Sequence, residues 1–393
     1  MVQFSNTEIA FSYRSDRELK LGGFLFKSMK SPLITRIGVL ATKFSIKAHL
    51  PIAGLIKRTI FKQFCGGESM QEAAKTADAI GKYNVGVILD YGVEGKENEA
   101  EFDRATNEFI KAIYFAATRK NIPFVSLKVT GFARFDLLEK INRHENLSDS
   151  ENSEWQRVSD RIGLICKAAY QKKVMILIDA EETWIVEPVN DLTERMMEQY
   201  NQRRALIFNT YQLYSCGTLE FLKESCQKAA AKGYILGAKL VRGAYMEKER
   251  ARAAEKGYPD PIQPDKETTD KDYDEAVAYC LQNLDKLSLF IGTHNEKSCM
   301  DAVNYMQQHH ISSDNSNVWF SQLYGMGDNI SFNLAHEGYN VSKYLPYGPV
   351  LDVIPYLMRR AQENTSVVGQ TSRELVLIHK EIERRKLGFA TVN

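Results

Sequence analysis

Polar and charged residues stand at the ends of eight short apolar runs of this chain. They are Asp90, Glu94, Lys128, Asp179, Asn209, Lys239, Arg242, Thr293, His294, Asn295, Gln322 and Tyr344. Ammonium, guanidinium and carboxylate groups are costly to bury alone, so they need water, each other or a ligand. A set of this size predicts a binding or catalytic site.

Lys128 lies within an otherwise apolar run, Phe124–Val129, where an unpaired ammonium would cost several kcal/mol. Asp179, at the end of the next run, is a candidate partner. The pair is either a structural ion pair or part of a site in which the lysine also binds a substrate anion.

Two adjacent arginines, Arg359 and Arg360, fall on a predicted helix over 349–363. Arg360 follows Leu357 by three residues, which places it near the apolar face of that helix. Paired guanidinium groups suit a carboxylate or a phosphate, since each offers planar bidentate hydrogen bonds. The alternative is a solvated charge pair.

The apolar runs have the length and composition of buried strands, and segments with helical spacing separate them. The predicted strands are Gly86–Tyr91, Phe124–Val129, Val174–Asp179, Ala205–Asn209, Ile235–Val241, Leu287–Thr293, Val318–Leu323 and Val341–Leu345. This alternation predicts an α/β fold with a closed (β/α)₈ barrel, whose strand ends would bring the polar residues to one mouth. An open doubly wound sheet is the alternative, but no Gly-x-Gly-x-x-Gly motif follows the first strand.

The chain is predicted to divide into an N-terminal helical region, residues 1–82, and a barrel domain, residues 83–393. Within the first region, no Asp or Glu occurs from Leu19 to Gly67, whereas lysines, arginines and apolar residues alternate. Such a basic amphipathic segment is typical of a membrane surface or a partner, and equally of a helical cover on the barrel. The polar segment Asn146–Glu154 is predicted to be an exposed loop before a helix over 155–170.

Composition excludes several other classes of protein. Lys and Arg number 51 against 50 Asp and Glu, so the chain lacks the charge excess of a nucleic-acid-binding protein. The six cysteines form no Cys-x-x-Cys pair, which predicts free thiols and, with no His-Glu-x-x-His motif, no metal. No apolar run is long enough to span a membrane, and no transit or signal peptide is evident. We therefore expect a cytoplasmic protein that is peripheral on the inner face of the membrane.

Several longer motifs resemble the single-function, mitochondrial-type branch of the proline dehydrogenase family. They are Lys239–Tyr245 (KLVRGAY), Thr293–Asn295 (THN), Gly325–Gly327 (GMG), Tyr344–Pro349 (YLPYGP) and Tyr356–Arg360 (YLMRR), followed by Glu363–Asn364. The likeness extends from about residue 64 to residue 385. It implies a distorted TIM-type barrel that binds FAD, with the last helix over the barrel mouth.

The resemblance also implies roles for individual residues. The substrate-site residues would be Arg359 and Arg360 on the carboxylate, Lys128 assisting them with Asp179 beside it, the walls Tyr344, Tyr245 and Leu240, and the gating residue Glu94. The cofactor residues would be Lys239 near flavin N5, Asn209, Arg242, Gly243 and Ala244 around the ring, and Thr293, His294, Asn295, Gln322 and Glu363 along the rest of FAD.

The implied reaction is oxidation of L-proline to Δ1-pyrroline-5-carboxylate, the first step of proline catabolism. Hydride would pass from proline C5 to flavin N5, and membrane quinone would then accept the electrons. One rival is hydroxyproline oxidation, which Tyr344 disfavours because the hydroxyproline branch has a smaller residue there. The other is a barrel that binds flavin or another ligand without catalysis. The oligomeric state stays open.

Overall fold

A computed structural model shows eight parallel strands that follow one another around a closed barrel, in chain order. The structure describes residues 2–31, 53–92, 97–366 and 370–390, without the side chains of 53, 361–371 and 388–390. The strands are β1 Val85–Tyr91, β2 Phe124–Lys128, β3 Met175–Asp179, β4 Ile207–Gln212, β5 Leu236–Val241, β6 Leu287–Gly292, β7 Val318–Leu323 and β8 Val341–Tyr347. The predicted (β/α)₈ architecture is confirmed.

Helices precede, separate and follow the strands. Those before β1 are α1 Thr7–Ala10, α2 Asp16–Met29, α3 (Ala53–Ile56, Lys57–Phe61 in π geometry and Lys62–Phe64) and α4 Met70–Gly81. Those between strands are α5 Glu99–Ala116, α6 Phe135–Asn142, α7 Asp149–Lys172, α8 Val186–Tyr200, α9 Thr218–Lys232, α10 Met246–Lys256, α11 Lys266–Gln282, α12 Glu296–Gln308 and α13 Asp328–His336. Those after β8 are α14 Val350–Ser366 and α15 Gln370–Ala390.

Strand β4 is shifted from its prediction. It was expected to end at Asn209, but it begins at Ile207 and continues to Gln212. Asn209 pairs in register with Ala238 of β5, and Tyr211 is almost fully buried. The polar residues Asn209 and Thr210 resemble a strand end in sequence, yet barrel neighbours on both sides satisfy their backbone groups.

Helix α7 overturns the prediction of a loop over Asn146–Glu154. The helix starts at Asp149, and Ser148 caps it. The Ser148 hydroxyl accepts a hydrogen bond from the Glu151 N–H, while the Glu151 carboxylate accepts one from the Ser148 N–H. This capping box satisfies backbone donors that a helix end otherwise leaves open. The Ser-x-x-Glu spacing was visible in the sequence.

Aromatic side chains fill the barrel interior near the start of its strands. Phe124 of β2 contacts Phe208 of β4 and Phe290 of β6 edge to face, with ring centroids 6.1 and 5.1 Å apart. Since these three strands are not neighbours, their rings meet inside the barrel. The apolar strand sequences therefore supply a packed interior, as TIM barrels require.

The chain divides into two compact units, one formed by 1–87 and 322–393 and the other by 88–321. In the first unit, apolar residues of α1, α2 and α3 pack with those of α14 and α15. This core includes Phe11, Leu19, Phe26, Phe61, Phe64, Val353, Leu357, Leu377 and Ile378. The described part of the N-terminal region thus has its apolar side covered, while residues 32–52 lie outside the described residues. The domain boundary at residue 82 stays a prediction.

Within the described ranges, no helix is both long and apolar enough to cross a membrane. All six cysteines are described, and none of them forms a disulfide bond.

Candidate active site

A buried ion pair joins the end of β3 to β5. Lys239 Nζ lies 2.5 Å from Asp179 Oδ1, and both side chains are about nine-tenths buried. Lys128, the last residue of β2, is the backbone neighbour of Asp179 in the parallel register. Two lysines and one carboxylate, from β2, β3 and β5, therefore belong to one group in this unit. Lysines placed in this way can contribute to binding an anion.

Asn209 and Leu240 lie inside strands β4 and β5 and are almost fully buried. The Asn209 amide donates to Asn190 Oδ1 at 2.9 Å, and its oxygen accepts from the Thr210 N–H at 3.0 Å. These contacts fix the orientation of the amide. The Leu240 side chain is entirely apolar, so it can form an apolar wall of a binding site.

Arg242 follows β5 and has three polar partners within the chain. Its Nε donates to Asp270 at 2.6 Å, its NH1 to Thr293 at 2.7 Å and its NH2 to Ser298 at 3.0 Å. The guanidinium also lies 4.2 Å from the centroid of the Tyr273 ring. Arg242 thus connects the loop after β5 with α11 and α12, and this position fixes the residues that follow it.

The loop residues Gly243 and Ala244 expose their backbone, and half-buried Tyr245 precedes α10. Gly243 has φ +142, a conformation that other residues rarely adopt. A Cβ at this position would lie 2.5 Å from the Tyr214 ring, so any side chain would displace the loop. Glycine therefore keeps backbone groups available to a ligand that approaches closely.

Thr293, His294 and Asn295 follow β6. The Thr293 hydroxyl accepts hydrogen bonds from Arg242 and from the Asn295 N–H, the latter at 3.1 Å. The Asn295 side chain accepts from the N–H groups of Lys297 and Ser298 and so caps α12. His294 is half-buried. Asn295 therefore has a structural role, whatever else it binds.

In the first unit, Tyr344 is the one residue of β8 that is not buried. Gln322 is buried, and its side-chain oxygen accepts a hydrogen bond from the Ser331 hydroxyl at 2.7 Å. Arg359 and Arg360 lie half-buried on α14, and the Arg360 guanidinium is 5.4 Å from the Tyr356 ring centroid. Glu94 and the Glu363 side chain lie outside the described residues.

Two buried carboxylates were missed at the sequence level. Glu181 accepts hydrogen bonds from the Thr130 hydroxyl at 2.9 and 2.8 Å, which joins the loops after β3 and β2. Glu249 of α10 accepts from the N–H and hydroxyl of Thr183 at 2.7 and 2.6 Å. Burial raises the pKa of Glu249 despite these hydrogen bonds. The adjacent acidic residues Glu181 and Glu182, just after the third predicted strand, were a sequence signal that could have identified Glu181.

The donor set suits a flavin dinucleotide more than a metal ion. Lys239 is a buried ammonium, and the exposed backbone of Gly243 and Ala244 follows it on the same strand and loop. Such donors match the heteroatoms of a flavin ring and the oxygens of a diphosphate. Among the residues described, no three His, Cys, Asp or Glu side chains form a group that could hold a metal ion.

Comparisons with known proteins relate this chain to a family of enzymes. The family model for proline dehydrogenase matches residues 73–373. The mitochondrial proline dehydrogenase 1 of Caenorhabditis elegans is 42% identical over 246 residues, which cover 61% of this chain and 40% of that protein. Hydroxyproline dehydrogenase of Xenopus laevis is 30% identical over 412 residues, covering 95% of this chain and 88% of that protein. The chain thus spans less than half the length of the C. elegans relative.

One solved structure, proline utilization A (PutA) from Bdellovibrio bacteriovorus inactivated by N-propargylglycine, shares the fold with a TM-score of 0.72. Its sequence identity is 21%, and the match covers 92% of this chain and 38% of that one.

Replacing either partner of the ion pair should destabilise the protein. Lys239→Met or Asp179→Leu leaves a buried charge alone, which typically costs about 3–5 kcal/mol. The double variant should lose less than the sum of the single variants, because neither charge remains. Thermal unfolding of all four proteins measures this coupling. Additive losses would show that the two side chains do not interact.

Proposed function

The chain belongs to the proline dehydrogenase family, and we propose that it oxidises L-proline to Δ1-pyrroline-5-carboxylate with FAD as the hydride acceptor. The family match over residues 73–373 is the observation that carries this proposal. The polar groups at the strand ends support it, since they supply donors for an anionic substrate and a flavin. This reaction would be the first step of proline catabolism.

Arg359 and Arg360 are proposed to bind the substrate carboxylate, assisted by Lys128. Stacking of Arg360 near Tyr356 supports this role, because it limits the conformations of the guanidinium. Asp179 would fix the position of the Lys239 ammonium, with which it forms an ion pair. Tyr344, Tyr245 and Leu240 would enclose the ring. A gating role for Glu94 stays a prediction.

The proposed cofactor residues differ in what they can still donate. Gly243 and Ala244 are exposed in their loop, and Lys239, which is paired with Asp179, is proposed to lie near flavin N5, whereas Arg242 and Asn295 are bound by other groups of the chain. We therefore assign Arg242 and Asn295 to shaping the FAD site, with Asn209, Thr293, His294, Gln322 and Glu363 as further contacts. When bound, FAD supplies the acceptor for the hydride.

The residues of the chain would orient the proline ring and exclude water from it. The amine must be neutral for its lone pair to assist hydride loss, so the rate should rise with pH. No side chain is assigned as the base.

Membrane quinone is the proposed electron acceptor, and α2 supplies a candidate surface for the membrane. Arg17, Lys20, Phe24 and Lys27 are spaced by three and four residues and are all exposed, Phe24 by 64%. An exposed face with cations around an aromatic residue suits an anionic bilayer. The opposite face of α2 packs in the core of the first unit, so the cover and membrane roles are compatible.

Hydroxyproline is the second candidate substrate. The X. laevis relative, a hydroxyproline dehydrogenase, aligns over 95% of this chain. This alignment is the observation that favours hydroxyproline as a second candidate substrate. Tyr344 favours proline, because its partly exposed side chain would occupy space that a ring hydroxyl needs.

Anaerobic addition of L-proline to the purified, FAD-loaded protein should bleach the flavin absorbance, and trans-4-hydroxy-L-proline should bleach it more slowly. Faster bleaching by hydroxyproline would identify the second candidate as the substrate. If neither compound reduces the flavin, the proposed oxidation is rejected and the alternative of a barrel that binds a ligand without catalysis is favoured.

Arg360→Met should raise the proline KM by at least about tenfold, because a charge-assisted hydrogen bond to the carboxylate contributes roughly 1.5–3 kcal/mol. FAD content should stay unchanged. Arg204→Met is the matched control, since Arg204 is an exposed arginine in another part of the chain. Steady-state kinetics measure both variants. An unchanged KM in Arg360→Met would remove Arg360 from the substrate site.

Reversing the charge of α2 should weaken binding to vesicles that contain anionic lipid. Lys20→Glu with Lys27→Glu changes only exposed groups, and each cation near the surface contributes about 1 kcal/mol. The control carries Lys120→Glu with Lys167→Glu, two exposed lysines of the other unit. Flotation of both double variants measures the difference. Equal flotation of the two would reject α2 as the membrane surface.

A further inference from the structure

The turn between β7 and α13 is the backbone support of Tyr344. Tyr324, at the start of this turn, donates its N–H to the Tyr344 carbonyl at 2.9 Å. The next residues are Gly325, Met326 and Gly327, and Asp328 opens α13. Whatever holds this turn therefore also holds the strand position from which the Tyr344 side chain projects.

Side chains from distant segments bind the backbone of the turn. Gln63 of α3 donates to the Gly325 carbonyl at 2.7 Å. Glu374 of α15 accepts a hydrogen bond from the Gly327 N–H. Gly325 has φ +82, and a Cβ there would overlap the backbone carbonyl of Gln63. The fit between α3 and the turn thus leaves no room for a side chain.

Asp328 anchors the turn through both of its carboxylate oxygens. Oδ1 lies 2.8 Å from Lys343 Nζ, and Oδ2 lies 2.9 Å from Arg14 NH2 and accepts from the Tyr13 hydroxyl at 2.9 Å. Arg14 also donates to Gln63 at 3.1 Å. The Asp328, Lys343 and Arg14 side chains are 2%, 0% and 7% exposed, so these ion pairs are hardly screened by water.

The electrostatics of the cluster agree with this geometry. Burial opposes ionisation of Asp328, but Arg14 and Lys343 outweigh it and keep its pKa below the ordinary value. Burial and, after it, the negative charge of Asp328 raise the pKa of Glu374 to about 7. The Gly327 N–H, Lys343 and Arg14 act in the opposite direction but do not outweigh them. Tyr13 and Tyr324 also belong to the cluster, and burial raises the pKa of each; Glu18 and Cys65 lie close enough to act on Tyr324.

Three members of this cluster lie outside the stretch that the family model matches. Arg14 and Gln63 precede residue 73, and Glu374 follows residue 373. The segments that flank the family domain therefore supply some of the side chains that hold the turn, together with Lys343 and Asp328 of the domain itself.

We propose that Arg14, Gln63 and Glu374 are positioning residues for Tyr344, which they hold in place through the turn and Asp328. The part of this inference that concerns substrate rests on the proposed oxidation of proline. A loosened turn lets the Tyr344 ring move, so the proline KM rises and the preference for proline over hydroxyproline falls. The maximal rate of flavin reduction changes less, because the three residues act through the turn and not on the reacting atoms.

The first test compares Arg14→Met with Arg17→Met, an exposed arginine of the same N-terminal segment. Hydrogen–deuterium exchange, which needs no activity, should be faster by about tenfold or more at the Tyr324 amide in Arg14→Met only. Exchange in β5, which belongs to the other unit, should be unchanged in both. Arg14→Lys, which keeps the charge, should restore part of the protection. Unchanged exchange at Tyr324 in Arg14→Met would overturn the proposal.

Anaerobic flavin reduction of the same variants gives the second readout. Arg14→Met should raise the proline KM about three- to tenfold and reduce the ratio of proline to hydroxyproline efficiency, with a smaller change in the limiting rate. A lower melting temperature with the same KM and ratio would show a merely structural role and reject the inference about substrate. A wild-type protein that proline does not reduce would reject the proposed function, while the exchange measurement would still decide the positioning role.

Glu374→Gln is a second variant that tests the proposal if Arg14→Met does not fold. In the wild type, the folded-state pKa of Glu374 lies above its unfolded value, so stability is lost as the pH rises through about 7. Exchange at Tyr324, corrected for its intrinsic pH dependence, and the KM for the neutral amine form of proline should therefore both rise between pH 6 and 8. Glu374→Gln should abolish this part of the pH dependence. A variant with the wild-type profile would overturn the role of Glu374.

Discussion

A buried cation needs an anion beside it, and this constraint organises each of the two units. In one unit, Lys239 of β5 is paired with Asp179 at the end of β3. In the other, Lys343 of β8 is paired with Asp328 at the start of α13, and Arg14 shares that carboxylate. Breaking such a pair leaves a charge in a medium that solvates it poorly.

The constraint has different consequences in the two places. Asp179 stands next to Lys128 in the register as well as beside Lys239, so this carboxylate brings two lysines together at the strand ends. Lysines grouped in this way suit the proposed binding of an anionic substrate. Around Asp328, by contrast, both carboxylate oxygens are occupied by side chains of the protein, and the cluster fixes backbone instead of binding a ligand.

The loops at the strand ends are held by hydrogen bonds that leave selected groups open. Arg242 donates hydrogen bonds to Asp270, Thr293 and Ser298. The residues that follow it, Gly243 and Ala244, are exposed. Glu181 and Glu249 hold the loops after β2 and β3 in the same way. Rigid support with exposed backbone is what a preorganised cofactor site requires.

The sequence by itself determined the barrel, because buried parallel strands must be continuously apolar and the helices between them must be amphipathic. It located seven strand starts within one residue of their positions, whereas β4 was displaced because Asn209 and Thr210 look like a strand end. The start of α7 was also readable, from Ser148 and Glu151, but the polar run around them indicated a loop. Both errors come from local sequence patterns. In β4, the neighbouring strands override the pattern, and in α7 the capping hydrogen bonds of Ser148 and Glu151 form a helix end within a polar run.

Only the tertiary structure decided which charges meet. Lys239 is 60 residues from Asp179, and Tyr13 is 315 residues from Asp328 along the chain. No periodicity or motif encodes such pairs, since they depend on the direction in which each side chain leaves its strand or helix. The sequence named Asp179, Lys239 and Tyr344 as candidates because they are polar at strand ends. Packing alone assigned Arg14, Gln63 and Glu374 to the turn behind Tyr344, because burial makes each polar group find the nearest partner that the fold supplies.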